Sequence, residues 1–175
     1  MDGPPFHYCL RCGAEGLERV THMELLCRGC GYRQFLNPAP AVVAILRDAA
    51  GRLLLIERAR DPGRGQLALP GGFVEPGETA EEALRRELRE EVAMEPESLQ
   101  FMISLPNRYH FQGWNSPVLD LFFTGTLASF DGARAQPGEI ASVQVVEAGA
   151  VPYERIAFES NAQALRHYER TLADR

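Results

Sequence analysis

Three glutamates, Glu87, Glu90 and Glu91, crowd into the stretch RRELREEVAM (Arg85–Met94) beside three arginines. Acids so spaced serve either as a solvated, ion-paired helix face or as hard oxygen ligands for a divalent cation. At about 100° per residue, Leu84, Leu88 and Val92 make an apolar stripe at i, i+4 and i+8. Glu91, Glu87 and Glu90 then share one arc beside that stripe, and Arg85, Arg89 and Arg86 share the opposite one. Clustered carboxylates repel one another, whereas an intrahelical pair such as Arg86–Glu90 returns only about 0.2–0.5 kcal/mol. Mg2+ or Mn2+ suits such an oxygen set and leaves positions for substrate phosphates. Spacing alone leaves both readings open.

A second constellation lies upstream. All four cysteines fall in two CxxC pairs, CLRC (Cys9, Cys12) and CRGC (Cys27, Cys30), with 14 residues between them. Two such knuckles complete a tetrahedral shell of four thiolates for structural Zn2+. Each pair is followed at once by glycine, where the chain has to turn tightly back. Two disulfides are the alternative, but they need an oxidising compartment and the N-terminus MDGPPFHYC has no export signal. Residues 7–36 carry Arg11, Arg19, Arg28 and Arg33 against Glu15, Glu18 and Glu24. That balance makes no basic patch, so support or a partner surface is expected of this segment rather than nucleic-acid recognition.

Such side chains need a scaffold. The chain of 175 residues is 45% hydrophobic and 24% charged, which suits one ordinary domain with a small appendage. No apolar run approaches the roughly 18 residues of a membrane span, and a cytoplasmic protein is expected. The net charge of −6 invites no polyanion, and the 18 basic residues include no lysine, which excludes a Schiff-base or P-loop lysine. NPAP (Asn37–Pro40) reads as a linker, dividing residues 1–37 from 38–175. AVVAILRD and RLLLIERA read as a strand hairpin around Gly51. QLALPGG reads as a short strand ending in a turn. Thr79 and Glu82 make a capping box for a helix that runs to about Ala93. SLQFMISL, VLDLFFTGTL and IASVQVVE are strand-like, and a last helix covers Asn161–Ala173. An α/β or α+β sandwich follows.

The stretch GFVEPGETAEEALRRELREEVAM (Gly72–Met94) resembles the signature box of the Nudix hydrolase superfamily. Gly72, Glu78, Arg86, Glu87, Leu88, Glu90, Glu91 and Met94 match in register over 23 residues. The departure is Ala93, where the family carries glycine; a remodelled last helical turn is expected there. Together with the four-cysteine segment, the chain is similar to the zinc-ribbon branch of the superfamily. The NADH pyrophosphatases of that branch carry a motif resembling SQPWPFP, which SLPNRYHFQGWNSPVLDLFF (Ser104–Phe123) does not match. The resemblance implies an α/β/α sandwich with a mixed sheet, preceded by a small zinc ribbon.

It also implies hydrolysis of a diphosphate in a nucleoside diphosphate linked to another moiety, a dinucleotide or an ADP-ribose-like molecule, by water attack at phosphorus. By resemblance Glu87, Glu90, Glu91 and the Gly71 carbonyl hold Mg2+ or Mn2+. Arg86 orders the acids by ion pairing, Glu78 braces the loop, and Glu139 is a candidate general base. Residues 104–116 read as a polar, turn-prone loop in which Tyr109, Phe111 and Trp114 could stack a base and Arg108 meet a phosphate. Covering a sheet edge or forming a homodimer interface is the alternative. Arg58, Arg60 and Arg64 are further phosphate candidates. A small nucleotide is the expected partner. The rival functions are a non-catalytic nucleotide sensor or regulator on the same fold, and nucleoside triphosphate hydrolysis.

Overall fold

The computed structural model describes residues 6–111 and 113–173; the side chains of Phe111 and Trp114 lie outside the described residues. The chain divides into two compact units, Met1–Pro38 and Ala39–Arg175. Among the described residues no helix is long and apolar enough to cross a membrane.

The first unit is an antiparallel sheet of β1 (Leu17–Arg19), β2 (Glu24–Cys27) and β3 (Arg33–Phe35), in that order. Leu25, Cys27 and Gln34 are its buried strand side chains, too few to hold strands of three or four residues by burial alone. The two CxxC turns repeat one geometry. Gly13 and Gly31 sit at φ +71° and +72°, and each donates its N–H to the carbonyl of the first cysteine of its pair, Cys9 or Cys27, at 2.9 Å. A positive φ at this point is why glycine follows each pair. Arg28 pairs with Glu18 and Arg33 with Glu24, so half of the unit's arginines are neutralised by its own acids.

In the second unit the strands are β4 (Ala39–Asp48), β5 (Arg52–Arg58), β6 (Leu67–Ala68), β7 (Gly71–Phe73), β8 (Ser98–Phe111), β9 (Trp114–Leu127) and β10 (Ile140–Glu147). Helix α1 (Ala80–Val92) follows β7, and α2 (Glu159–Ala173) closes the chain. The sheet runs β10-β5-β4-β9-β8, with β6 beside β5 and β7 beside β4. Strand β4 lies parallel to β9 and antiparallel to β5 and β7, so the sheet is mixed. Alternate residues of the central strands face opposite layers. Val42, Ala44 and Leu46 meet Leu84, Leu88 and Val92 of α1, while Val43 and Ile45 meet Leu165 and Tyr168 of α2. Burial on both faces explains the unbroken apolar run of β4. The expected α/β/α sandwich is the fold observed.

Two local readings are corrected. The NPAP break is shorter than expected, because β4 begins at Ala39 and includes Pro40. Residues 104–111 and 114–116 are strand rather than loop: β8 and β9 pair antiparallel from Ser98–Thr126 to Phe111–Trp114. The prolines misled because β8 is the outermost strand, and Pro117 precedes the first β9 residue paired to β4, Val118. At such positions a missing N–H breaks no interior ladder.

Helix α1 starts as its capping box dictates. Glu82 N–H donates to Thr79 Oγ1 at 3.2 Å, and Thr79 N–H donates to Glu82 Oε2 at 2.8 Å. Its end departs from expectation, because Ala93 keeps the left-handed shape at φ 56°, ψ 34°. The Leu88 carbonyl accepts the N–H groups of both Ala93 and Met94, and the buried Met94 anchors the turn. These contacts hold alanine where glycine is favoured. Ala93→Gly should therefore stabilise the protein by about 1 kcal/mol and raise its thermal midpoint by roughly 2–4 °C. An unchanged or lower midpoint in a thermal melt would contradict this account of the cap.

Candidate active site

The acids of α1 are placed by two glycines. Strand β7 pairs with β4 so that Gly71 lies opposite Val43 and Gly72 opposite Val42. A Cβ on Gly71, whose φ is +143°, would run into the Val42 carbonyl oxygen, and one on Gly72 would run into the Glu87 carboxylate. Bare backbone therefore lets α1 close onto the strand. Gly71 N–H donates to Glu91 Oε2 at 2.8 Å, which ties the strand to the helix. Gly71→Ala should cost about 3 kcal/mol, read as a lower denaturant midpoint at unchanged m-value. An unshifted midpoint would refute the close approach.

Glu91 is buried at 8% exposure. Desolvation lifts its carboxyl to about 8, against the pull of the Gly71 N–H, and the Glu87 charge adds to the rise. Burial likewise raises Glu87, opposed by Arg86 and assisted by Glu90 and Glu139. Glu90 is half-exposed and turns toward Arg86 at 3.2 Å. Arg86 is the organiser of this cluster. It grips Glu78 with Nε at 2.8 Å and Nη2 at 3.0 Å, reaches Glu87 at 2.8 Å, and donates to the Phe73 carbonyl at 3.1 Å. Its own pKa is pushed up by these acids, Glu78 first, and Glu78 is lowered in return, chiefly by Arg86. The predicted segregation of arginines thus holds for Arg85, bonded to the Pro96 carbonyl, and Arg89, facing Glu95, but Arg86 crosses to the acid arc.

Glu139 is brought to the same place by the segment before β10. Gln136 N–H donates to the Glu91 carbonyl and Ala59 N–H to the Glu139 carbonyl, both at 2.9 Å. The Glu139 carboxylate pairs with Arg60 at 2.7 Å in a half-exposed position, and its charge is felt by both Glu87 and Glu91. Arg64 is exposed.

On the other side of β7, a cleft open to solvent is bounded by Gly71, Gly72, Arg58, Tyr109, Asp120 and Asn161. Three rings form one wall: Phe73 meets Tyr109 edge-on at 5.7 Å, and Tyr109 lies at 6.2 Å and 26° to Phe158. The Arg58 guanidinium stands 4.9 Å above the Phe158 ring, and its Nε is held by the Pro62 carbonyl at 2.6 Å. Arg58 and Tyr109 line the cleft. Arg108 does not: it is exposed on β8, because strand alternation sends it away from the side of Asn107 and Tyr109. Asn107, Asp120, Phe158 and Asn161 carry much of the cleft and were not singled out as site residues from sequence. Asp120, an acid inside the apolar run VLDLFF, was the available signal.

In the first unit the Sγ atoms of Cys9, Cys12, Cys27 and Cys30 all lie within 4.8 Å of one another. Cys9–Cys30 and Cys12–Cys27 stand 3.7 Å apart, and all four thiols are free. Among the described residues this is the one group of three or more His, Cys, Asp or Glu side chains that converges as a metal shell.

The NUDIX domain family model matches residues 37–169. An ADP-ribose pyrophosphatase of Methanocaldococcus jannaschii is 48% identical over 79 residues, 44% of this chain and 46% of that protein. The NAD-capped RNA hydrolase NudC of Chromobacterium violaceum is 32% identical over 148 residues, 83% of this chain and 51% of that protein. The chain thus spans about half the length of these curated relatives. A NUDIX hydrolase from Nitrosomonas europaea superposes with a TM-score of 0.72 at 25% identity, covering 94% of this chain and 91% of its own. The NUDIX domain of Shewanella oneidensis NrtR, solved with ADP ribose, shares the fold at a TM-score of 0.67 and 21% identity, over 79% of this chain and 90% of its own.

Proposed function

Because this chain belongs to the Nudix family, whose domain model covers residues 37–169, we propose that it hydrolyses the diphosphate of a nucleotide conjugate of the dinucleotide or ADP-ribose kind. One observation carries the reading: the same two glycines, Gly71 and Gly72, touch the acids of α1 and bound the ring-lined cleft. A nucleoside held in the cleft presents its diphosphate to the acids across a single strand.

The donor set fits a divalent cation. Glu87, Glu90 and Glu91 offer oxygen only, two of them are desolvated, and Arg86 offsets one charge among them. Mg2+ or Mn2+ bound there supplies Lewis-acid charge to the diphosphate and a more acidic water. The protein's own contribution is placement. Arg86 fixes the acids against the Glu78 loop, Arg58 offers a cation near the mouth of the cleft, and Tyr109 and Phe158 give a ring surface for stacking. Glu139 is the candidate to accept the water's proton, once freed from Arg60.

The four-cysteine group fits Zn2+. Tetrahedral coordination at Zn–S near 2.3 Å places sulfurs about 3.8 Å apart, close to the 3.7 Å found. Its role is structural, since four thiolates leave no open position.

The test is a panel of NADH, FAD, ADP-ribose, dinucleoside polyphosphates and nucleoside triphosphates with Mg2+ and with Mn2+. Release of two nucleoside or sugar monophosphate products from a conjugate is the expected result. Preference for triphosphates would redirect the assignment to triphosphate hydrolysis. Binding of conjugates without turnover of any would mark a sensor.

A further inference from the structure

The polar end of the cleft is built with unequal oxygens and nitrogens. Asp120 is buried at 3% exposure on β9 and lines the cleft. Its Oδ2 accepts twice, from Asn107 Nδ2 at 2.8 Å and Ser160 Oγ at 2.6 Å. Asn107 cannot turn over to relieve this, because its Oδ1 accepts the Arg108 N–H at 2.7 Å. Oδ1 of Asp120 accepts from no described donor. Among the described residues the fully buried side-chain atoms without a partner are Gln34 Oε1 and Arg47 Nε, so Asp120 Oδ1 is not sealed off, on a side chain that lines the cleft. Asn161, also 3% exposed, is oriented in the same way. Its Oδ1 accepts the Leu69 N–H at 2.9 Å, which leaves Nδ2 as a donor on a side chain that lines the cleft.

We propose that Asp120 and Asn161 form a reading head for an –NH2 group that stands beside an acceptor, with Asp120 Oδ1 accepting from the amine and Asn161 Nδ2 donating to its neighbour. This rests on the reading of the cleft as the nucleoside end of the substrate. Two sources share that chemistry: the amino-pyrimidine edge of adenine, and the carboxamide of nicotinamide. Either ring can lie against Tyr109 and Phe158. A site built to accept an N–H disfavours an analogue that offers a second acceptor there, because two oxygens then face each other unpaired.

The experiment is calorimetric binding of four mononucleotides to the full chain: AMP against IMP, and nicotinamide mononucleotide against nicotinic acid mononucleotide. The amino-bearing member of at least one pair should bind about 10-fold or more tightly than its oxygen counterpart, and the pair that discriminates identifies the source. Asp120→Asn sharpens the test. Its amide oxygen can still accept from Asn107 and Ser160, which turns its –NH2 toward the cleft. The variant should lose the preference or favour the oxygen-bearing ligand. Equal affinities in both pairs for the unaltered protein would overturn the proposal without any variant. So would a preference for the oxygen-bearing member, which would place a proton on Oδ1, or an unchanged ratio in Asp120→Asn. No diphosphate is cleaved in this measurement, so discrimination with no turnover on the conjugate panel would remove the hydrolase reading alone. Turnover without discrimination would remove the reading head alone.

Discussion

Glu90→Gln combined with Glu91→Gln should lower divalent-metal-dependent hydrolysis by about 10³-fold or more, since several kcal/mol of Lewis-acid stabilisation pass through those oxygens. The protein should stay folded. Glutamine at position 91 keeps an oxygen to accept the Gly71 N–H, and Glu90 is half-exposed with Arg86 as its neighbour. Arg86 retains its two bonds to Glu78 and one to Glu87. The measurement is kcat on the best conjugate of the panel, with Mn2+ binding followed by calorimetry and the unfolding midpoint as control. Full turnover in the double variant at an unchanged midpoint would remove both residues from the site. A loss of turnover accompanied by a collapse of the midpoint would move them from chemistry to structure.

The second large effect concerns the first unit. Zinc analysis of the purified chain should find about one equivalent, and a strong chelator should unfold residues 6–38 while the second unit keeps its structure. Binding of a structural Zn2+ is worth roughly 10–16 kcal/mol at neutral pH, far more than a sheet with Leu25 as its one wholly buried aliphatic strand residue can supply. The second unit has two cores drawn entirely from its own residues, from Val42 to Tyr168. Hydrogen exchange separates the outcomes: amides of β1 to β3 should lose protection on chelation, and those of β4, β5 and β9 should keep it. A metal-free chain with β1 to β3 fully protected would refute the zinc assignment.

These two candidate sites stand out in the sequence for the same physical reason. Each is written within one local segment whose period is set by backbone geometry: about 3.6 residues per turn for the acids, and a tight knuckle with a positive-φ glycine for the thiols. The capping box and the Leu84–Leu88–Val92 stripe were readable on that basis too. The cleft was not. Asn107, Asp120 and Asn161 come from β8, β9 and α2, and only the pairing of β8 with β9 and the packing of α2 on the sheet bring them together. Arg108 was grouped with Tyr109 because the strand around Pro106 and Asn107 was read as a loop, which hides the alternation that separates the two. Ala93 was misread for a different reason. Its backbone shape is imposed by the two N–H groups converging on the Leu88 carbonyl, and local preference gave way to them.

The crowding at Gly71 and Gly72 sets limits on how this protein can diversify. One position is walled in by the Val42 carbonyl and the other by the Glu87 carboxylate, so neither can take on a side chain without disturbing the strand or the acids. Mutational drift toward a new substrate is thereby shut out of β7 and channelled to the far wall of the cleft, where side chains from β8, β9 and α2 can be exchanged one at a time. The side of β7 that faces the acids is set by bare backbone, whereas the side that lines the cleft is set by side chains that can be exchanged.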